Sequence, residues 1–435
     1  MLNKSSRKVP NVLLKGGRLF DPGIGLDSRK DLLIVDGKIK QIGSANDIPE
    51  NTEVVDCTGW TIAPGLVDMH VHLREPGQED KETIETGTQA AMAGGFTAVC
   101  AMPNTKPPVD DRSYVEFIKK RSKDLLVEVY PIGAITKGLE GKELTEMGDM
   151  LEAGAVAFSD DGMPVENTRI FRKALEYCKM FNCPIIEHSE DRSLAEGGAM
   201  NEGLVATQLG IRGIPSLSEA VAVSRDCCVA EYTESKLHIA HVSTKEAVSI
   251  IRRAKAHGVN VTAETCPHYF VLTDEAVRGY DTNTKMNPPL RTEEDRLAIL
   301  EGLKDGTLDV IATDHAPHKV DDKDEDYQQA AFGIVGLETV VGLVLTFLVH
   351  KGQITLDQVI RQMSINPRHI LNLPPNEIKE GHVANLTFLN PDMEWTVDKA
   401  AFLSKGRNTP FHGMKLKGAS AGVYSQGQLF LNGSV

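Results

Sequence analysis

The stretch LVDMHVHLREPG, at residues 66–77, marks a change in the pattern of the sequence. From Leu66 onward, short runs of apolar and β-branched residues alternate with longer amphipathic segments. Buried parallel strands read as continuous apolar runs, and each strand needs a crossover helix to reach the next. Eight such units favour a (β/α)₈ barrel over a doubly wound open sheet. The eight runs are LVDMHVH, TAVCAMP, VEVYPIGAI, AVAFSDD, PIIEH, LHIAHVS, VTAETCPH and VIATDHAPH.

The two ends of the chain have a different sequence pattern, which predicts short strands separated by turns. Asp36-Gly37 lies between two apolar runs near the N-terminus, which is typical of a hairpin. Chain termini often lie close together, so two β-rich ends can form one small domain. We therefore expect a small β-sandwich-like domain from residues 1–60 and 381–435, and a barrel from residues 61–380.

The composition excludes several classes of partner. The 435 residues carry a formal net charge of −14, whereas nucleic acids and anionic membranes attract clustered Lys and Arg. The seven cysteines are irregularly spaced and form no CxxC motif, which is typical of reduced thiols. The N-terminus has no apolar signal segment, and the apolar stretch at residues 340–349 is too short to span a bilayer. We expect a cytoplasmic protein with a small-molecule substrate and no nucleic-acid or membrane partner.

Polar side chains end five of the eight predicted strands. In a barrel the carboxyl ends of all strands open onto one face, so these side chains should converge there. His70 and His72 are two residues apart and therefore point to the same side of their strand, the barrel interior. The polar residues at the strand ends are His70 and His72, Asp160 and Asp161, His188, His241, and Asp314 with His315.

This convergence predicts a metal centre. Taken singly, an HxH pair is more often structural, and Asp160-Asp161-Gly162 is most simply a turn. Two buried imidazoles are costly without partners, however, and neutral imidazole is a good zinc ligand. Five such strand ends supply more ligands than one tetrahedral zinc needs. The surplus suggests two metals bridged by a carboxylate and a water-derived hydroxide.

Seven motifs in order along nearly the whole chain carry a family resemblance. The sequence resembles the dihydroorotases of the amidohydrolase superfamily, specifically the bacterial class I type. The pairing of HVHLREPG with ATDHAPH is highly specific, and MPNT strengthens it. The motifs are DMHVHLREPG, AMPNTKPPVD, FSDDG, EHSED, HIAHVST, KMNPPLR and ATDHAPH.

The resemblance implies a ligand set. His70, His72 and Asp314 would hold one zinc, and His188 and His241 would hold a second. Many relatives bridge the metals with a carboxylated lysine, but this sequence has no lysine at the SDDG turn. The class I pattern places an aspartate there, and we expect Asp161 rather than Asp160 to be the bridge. Two zinc ions per subunit follow from this arrangement.

The resemblance also implies the reaction and the residues that contact the substrate. The expected activity is reversible hydrolysis of the cyclic amide of (S)-dihydroorotate to N-carbamoyl-L-aspartate, a step of de novo pyrimidine (UMP) biosynthesis. The bridging hydroxide would be the nucleophile, and Asp314 would accept its proton and deliver it to the leaving nitrogen. A planar guanidinium suits a carboxylate, so Arg74 would bind that of the substrate. The other expected contacts are Asn104 and His318 to the carboxylate, and Asn287 with the backbone of Phe332 and Gly333 to the ring amides.

Several features stay open at this point. The charge-rich segment at residues 318–333 is either a solvated surface loop or a lid over the site. One alternative function is that of a hydantoinase or allantoinase, although Arg74 matches a substrate carboxylate that allantoin lacks. The other alternative function is that of a non-catalytic structural partner of aspartate carbamoyltransferase. The complete set of metal ligands argues against this alternative, because such proteins lose metal ligands. We expect a homodimer, and an active enzyme of this type can still associate with that transferase.

Overall fold

The computed structural model describes residues 5–44 and 47–433, and its centre is a barrel of eight parallel strands. Each strand pairs with the next along the chain, and the last returns to the first, where the backbone N–H of His72 donates to the carbonyl of His315 at 2.8 Å. Every predicted run contains a strand, so the predicted (β/α)₈ barrel is confirmed. The strands are β1 (Leu66–Val71), β2 (Phe96–Ala101), β3 (Glu128–Gly133), β4 (Ala157–Phe158), β5 (Ile185–Glu187), β6 (Leu237–Ile239), β7 (Val261–Thr265) and β8 (Val310–Ile311).

Helices surround this barrel, and sequence-local signals set their ends. The helix at Lys245–Ala256, for example, begins after Thr244, whose side chain accepts from the backbone N–H of Ala247, and its buried residues recur at helical spacing. The helices are α1 (Ile84–Gly94), α2 (Arg112–Ser122), α3 (Met147–Ala153), α4 (Thr168–Met180), α5 (Arg192–Ala195), α6 (Leu204–Leu209), α7 (Ser216–Thr233), α8 (Lys245–Ala256), α9 (Pro267–Val271), α10 (Glu293–Asp305), α11 (Val320–Lys323), α12 (Val340–Val344), α13 (Leu356–Ile360) and α14 (Asn366–Ile370). Short 3₁₀ segments lie at Lys137–Leu139, Asp274–Gly279, Thr282–Thr284 and Lys399–Ala401, and π-helical turns at Leu345–Val349 and Arg361–Ile365.

Both ends of the chain contribute to the same β-structure. Asp36 and Gly37, with φ of 50° and 72°, form the turn of the expected hairpin. The domain boundaries at residues 60 and 381 stay a prediction. One sheet has the order Arg7–Lys8, Gln428–Leu431, Lys415–Ser425, Leu386–Thr396, Thr61–Pro64, Arg18–Asp21 and Leu26–Arg29; a second has the order Lys38–Ile42, Leu32–Val35, Val12–Lys15 and Glu53–Asp56; and a two-stranded pair joins Met200–Asn201 to Gly213–Ile214.

Alternating side chains of the barrel strands divide into two layers. Val99 and Ile185 pack with the surrounding helices, whereas their neighbours Cys100 and Ile186 belong to a separate cluster inside the barrel. This apolar filling lies beneath the strand ends and leaves the polar side chains above it at the mouth. The seven cysteines are unpaired thiols. Among the described residues, no helix combines the length and apolar character needed to cross a bilayer.

Candidate metal centre

The six predicted metal ligands lie at one mouth of the barrel. Each stands at the carboxyl end of its strand or within three residues of it, and all six are buried. Because parallel strands of a closed barrel end on the same face, residues up to 244 positions apart in sequence are brought together. The ligands are His70 in β1, His72 directly after it, Asp161 after β4, His188 after β5, His241 after β6 and Asp314 after β8.

Two groups of these side chains have the spacing of a metal site. In the first, His72 Nε2 lies 3.1 Å from Asp314 Oδ1, and His70 Nε2 lies 3.7 Å from the same oxygen. In the second, His70 Nε2 lies 3.3 Å from Asp161 Oδ1, and His241 Nε2 lies 3.7 Å from that oxygen. The ligand atoms of each group lie within 4.8 Å of one another. His70 is common to both groups, so the two candidate sites are adjacent.

His188 extends the second group. Its Nδ1 lies 2.8 Å from His241 Nε2 and 3.7 Å from Asp161 Oδ1. Two imidazole nitrogens and a carboxylate oxygen therefore lie within 3.7 Å of one another, and such a donor set suits a divalent cation.

Polar atoms without partners test whether a cation fits here. His70 Nε2 and Asp161 Oδ1 are both buried, and within the described part of the chain neither has a hydrogen-bond partner. Buried polar atoms are rarely left without partners, so such a pair calls for a ligand that is absent from the protein chain. Burial would lower the pKa of His70, yet the carboxylates of Asp161 and Glu264 outweigh it and raise that pKa well above its usual value. The same negative field favours a bound cation, so the residues fit a metal.

Asp160 and Asp161 have different surroundings. The carboxylate of Asp160 accepts hydrogen bonds from the backbone N–H groups of Ile135 and Thr136, at 2.8 and 3.0 Å, and from the Thr136 hydroxyl. The carboxylate of Asp160 therefore stabilises the loop that follows β3. The structure brings only Asp161 of this pair to the histidines.

A second layer of side chains orients the ligands, and the sequence analysis did not identify it. His70 Nδ1 lies 2.7 Å from Glu264 Oε1, and the other oxygen of Glu264 lies 3.2 Å from His238 Nε2. Thr262 Oγ1 in turn lies 2.8 Å from His238 Nδ1. A carboxylate on one ring nitrogen fixes the histidine tautomer and leaves the other nitrogen free to bind a metal. The available signal was a charged residue, Glu264, within a run otherwise made of apolar residues and threonines.

Arg74 stands at the mouth beside this centre. Its backbone has φ of 62°, and within the described residues its one side-chain hydrogen bond runs from Nε to the carbonyl of Pro317, at 3.3 Å. Burial lowers the pKa of Arg74 to about 10, opposed by the carboxylates of Asp314 and Asp161, so the guanidinium stays charged at neutral pH. The terminal nitrogens are thus left for an anion near the metal ligands.

Asn104 is already engaged by two of the ligands. Its Oδ1 accepts from His72 Nδ1 at 2.8 Å, and its Nδ2 lies 3.2 Å from both the carbonyl and the Oδ2 of Asp161. These contacts orient the metal ligands. The expected contact of Asn104 with a substrate carboxylate stays a prediction.

Asn287 lies beside His188 and Glu190. Its Nδ2 donates to Glu190 Oε1 at 3.1 Å and lies 3.5 Å from His188 Nε2. Its Oδ1 is buried and, in the described chain, has no hydrogen-bond partner. A buried amide oxygen beside the metal ligands is suited to accept an N–H from a bound molecule.

The three remaining predicted contacts lie together in the segment at residues 318–333. His318 Nε2 donates to the carbonyl of Phe332 at 2.8 Å. Burial and the charge of Arg74 lower the pKa of His318 to about 3, so this imidazole is neutral. Gly333 has φ of 141°, and a Cβ there would lie 2.9 Å from the carbonyl oxygen of Ala316, so only glycine fits. The chain therefore passes closely beside the residues that follow β8.

Comparisons with known proteins agree with this geometry. Residues 59–247 match a family described as dihydro-orotase-like. A dihydroorotase of Pelotomaculum thermopropionicum is 55% identical over 407 residues, which cover 94% of this chain and 95% of that protein. A dihydroorotase of Syntrophus aciditrophicus is 52% identical over 420 residues, with coverage of 96% and 98%.

Solved structures show the same fold. The L-hydantoinase (dihydropyrimidinase) of Arthrobacter aurescens has a TM-score of 0.86 at 25% identity, and covers 97% of this chain and 96% of its own. The dihydropyrimidinase of Brevibacillus agri has a TM-score of 0.83 at 22% identity, with coverage of 97% and 95%. The second likeness shows the fold alone, whereas relatives at more than half identity over nearly the whole length identify the family. The chain belongs to the dihydroorotase family.

Proposed function

We propose that this protein is a dihydroorotase that reversibly hydrolyses the cyclic amide of (S)-dihydroorotate to N-carbamoyl-L-aspartate in pyrimidine biosynthesis. The observation that carries the proposal is the position of Arg74 beside four histidines and two aspartates at a single barrel mouth. A ring that bears one carboxylate and one reactive amide carbonyl matches a guanidinium next to a metal centre. The relatives above half identity support the same activity.

The proposed metals are two zinc ions per subunit. His70, His72 and Asp314 would hold one, His188 and His241 would hold the other, and Asp161 would bridge them. The donor set of imidazoles and carboxylates is typical of zinc. When bound, the ions lower the pKa of a water molecule and polarise a carbonyl oxygen.

The side chains of this protein would then orient the ring and move a proton. Arg74 would bind the substrate carboxylate, with Asn104 and His318 as further proposed contacts. The free Oδ1 of Asn287 would accept a ring N–H, and the backbone of Phe332 and Gly333 would contact the second amide. Asp314 would accept the proton of the attacking water and deliver it to the leaving ring nitrogen. The neighbouring histidines outweigh burial and lower the pKa of Asp314, so its carboxylate is ionised and has a free oxygen lone pair for the proton.

The nearest rival activity is that of a hydantoinase, because solved hydantoinases share the fold. Arg74 separates the two proposals, since hydantoin bears no ring carboxylate for a guanidinium to bind. The test is a panel of dihydroorotate, hydantoin and allantoin assayed with the zinc-loaded protein. Turnover of dihydroorotate well above that of the other two rings is expected. Preferred turnover of hydantoin or allantoin would overturn the proposal.

We further propose a homodimer in the cytoplasm. The unpaired thiols of the seven cysteines support a reducing compartment. An active enzyme can also associate with aspartate carbamoyltransferase, and a purely structural role in such an assembly would make the complete ligand set superfluous. Elemental analysis distinguishes the two roles, because a scaffold protein has no need to retain zinc.

A further inference from the structure

One lysine in the segment at residues 318–333, here called the lid segment, is almost fully buried. Lys323 ends α11 and is only 7% exposed. Its Nζ donates to the backbone carbonyls of Thr282 at 2.9 Å, Lys285 at 3.0 Å and Ala331 at 2.7 Å. The three hydrogens of an ammonium group are thus matched by three carbonyl oxygens.

These partners belong to two separate stretches of chain. Two of the carbonyls lie in residues 282–285, and the third lies near the end of the lid segment. Within the described residues, Lys323 forms no ion pair with a carboxylate, and its hydrogen-bond acceptors are all backbone carbonyls. Taking an ammonium out of water is costly, and burial accordingly lowers the pKa of Lys323 to about 7, while its three hydrogen bonds offset part of that cost. Residue 282 is also a donor to Lys323, because the Thr282 hydroxyl donates a hydrogen bond to the backbone carbonyl of Lys323 at 2.6 Å.

The stretches that Lys323 joins lead directly to the candidate site. The carbonyl of Lys285 also accepts the backbone N–H of Gly333 at 2.9 Å, and Asn287 follows two residues later. The backbone N–H of Ala331 donates to the carbonyl of Asp322 at 2.9 Å, which closes the lid segment on itself. The hydrogen bonds of Lys323 and the direct bond from Gly333 to Lys285 therefore link the stretch before Asn287 to the backbone at residues 332–333.

We propose that Lys323 is a positioning residue that clips the lid segment to residues 282–285. The clip holds the backbone of Phe332 and Gly333 at a fixed distance from Asn287. Its effect on substrate binding rests on the function proposed above, whereas its effect on the lid segment is independent of any substrate. Lys323 does not touch the predicted metal ligands, and its expected effect is on substrate affinity more than on the chemical step.

The test replaces Lys323 with methionine, which keeps the unbranched side chain as far as Cε and removes the donors. Hydrogen exchange at the Gly333 and Ala331 amides should become at least about tenfold faster, because the clip no longer holds them. The amide of Ala240, which donates to the carbonyl of Glu187 in the barrel at 3.0 Å, should exchange at the wild-type rate. The KM for dihydroorotate should rise at least about tenfold while kcat falls less than about threefold.

Lys319→Met is the matched control. Lys319 lies in the same segment but is exposed and pairs with Asp80 at 3.0 Å, so its loss should leave exchange and KM unchanged. Wild-type exchange rates at Gly333 and Ala331 in Lys323→Met would overturn the clip, whatever the activity. Faster exchange in Lys323→Met with an unchanged KM would overturn the link to substrate binding. Faster exchange in the variant, together with a wild-type protein that does not turn over dihydroorotate, would instead contradict the proposed function and leave the clip in place.

A measurement on the wild-type protein covers the case in which Lys323→Met does not fold. Brief acetylation with acetic anhydride, followed by peptide mass analysis, reports how accessible each lysine is. Acetic anhydride reacts with the neutral amine, and burial lowers the pKa of Lys323 to about 7, whereas the carboxylate of Asp80 raises the pKa of Lys319. Rates measured over a series of pH values therefore give the rate constant of each neutral amine. The neutral amine of Lys323 should react at least about a hundredfold more slowly than that of Lys319, because its nitrogen is enclosed and hydrogen-bonded. Equal rate constants for the two neutral amines would contradict the clip.

Discussion

Replacing Glu264 with glutamine should weaken zinc binding by about tenfold. Glu264 accepts from His70 Nδ1 at 2.7 Å and from His238 Nε2 at 3.2 Å, whereas a glutamine amide offers one oxygen and cannot accept from both rings. Hydrogen bonds to charged groups contribute about 1.5–3 kcal/mol and neutral ones about 0.5–1.5 kcal/mol. The difference of about 1–1.5 kcal/mol corresponds to about tenfold in a dissociation constant. Loss of an outer partner of a metal-bound histidine typically has an effect of about 10–100-fold.

The assay is a zinc titration of the metal-stripped protein in competition with a chromophoric chelator. Glu82→Gln is the matched control, since Glu82 is as buried as Glu264 but its contacts are to Thr86, Ser404 and His315 rather than to a predicted ligand. It should bind zinc as the wild-type protein does. Equal zinc affinity in Glu264→Gln and Glu82→Gln would refute the orienting role of Glu264.

Three further substitutions test other parts of the account. Asp314→Asn should lower kcat by about 10²–10⁴-fold while most of the zinc remains bound, and near-normal turnover would exclude the proton-transfer role. Arg74→Met should raise the KM for dihydroorotate by about 10–100-fold, and an unchanged KM would count against the carboxylate contact. Burial raises the pKa of Glu338 to about 7, so the folded protein holds a proton that the unfolded chain releases between pH 4.5 and 7, and stability falls as the pH rises through that window. Glu338→Gln should remove this slope, worth at most about 3 kcal/mol in chemical unfolding, and identical pH profiles would show that Glu338 is ionised in the folded state.

Much of the fold follows from the sequence because local and global signals agree. Runs such as PIIEH are apolar and β-branched, and the segments between them carry helix caps such as Thr244 before α8. Once eight units close into a barrel, topology alone brings their carboxyl ends to one face. The proximity of His70, Asp161 and Asp314 could therefore be predicted without any knowledge of side-chain contacts.

Other features depend on contacts that no local pattern encodes. Glu264 lies 194 residues from the histidine it orients, within a run that reads only as a strand. Asp160 and Asp161 are adjacent in sequence, and their roles differ because Ile135 and Thr136 donate hydrogen bonds to Asp160. Lys323 lies in a charge-rich segment whose composition is typical of a solvated loop. It is nevertheless buried, and its Nζ donates to three backbone carbonyls, two from residues about 40 positions away and one from the same segment.

Zinc content and dihydroorotate turnover, measured on the same samples, test the proposed metal centre most directly. Metal-free protein reconstituted with increasing zinc should show no turnover at the start, and turnover should rise with bound metal up to two ions per chain. Full turnover in metal-free protein would contradict the account, and so would an inactive protein that binds two zinc ions at the barrel mouth.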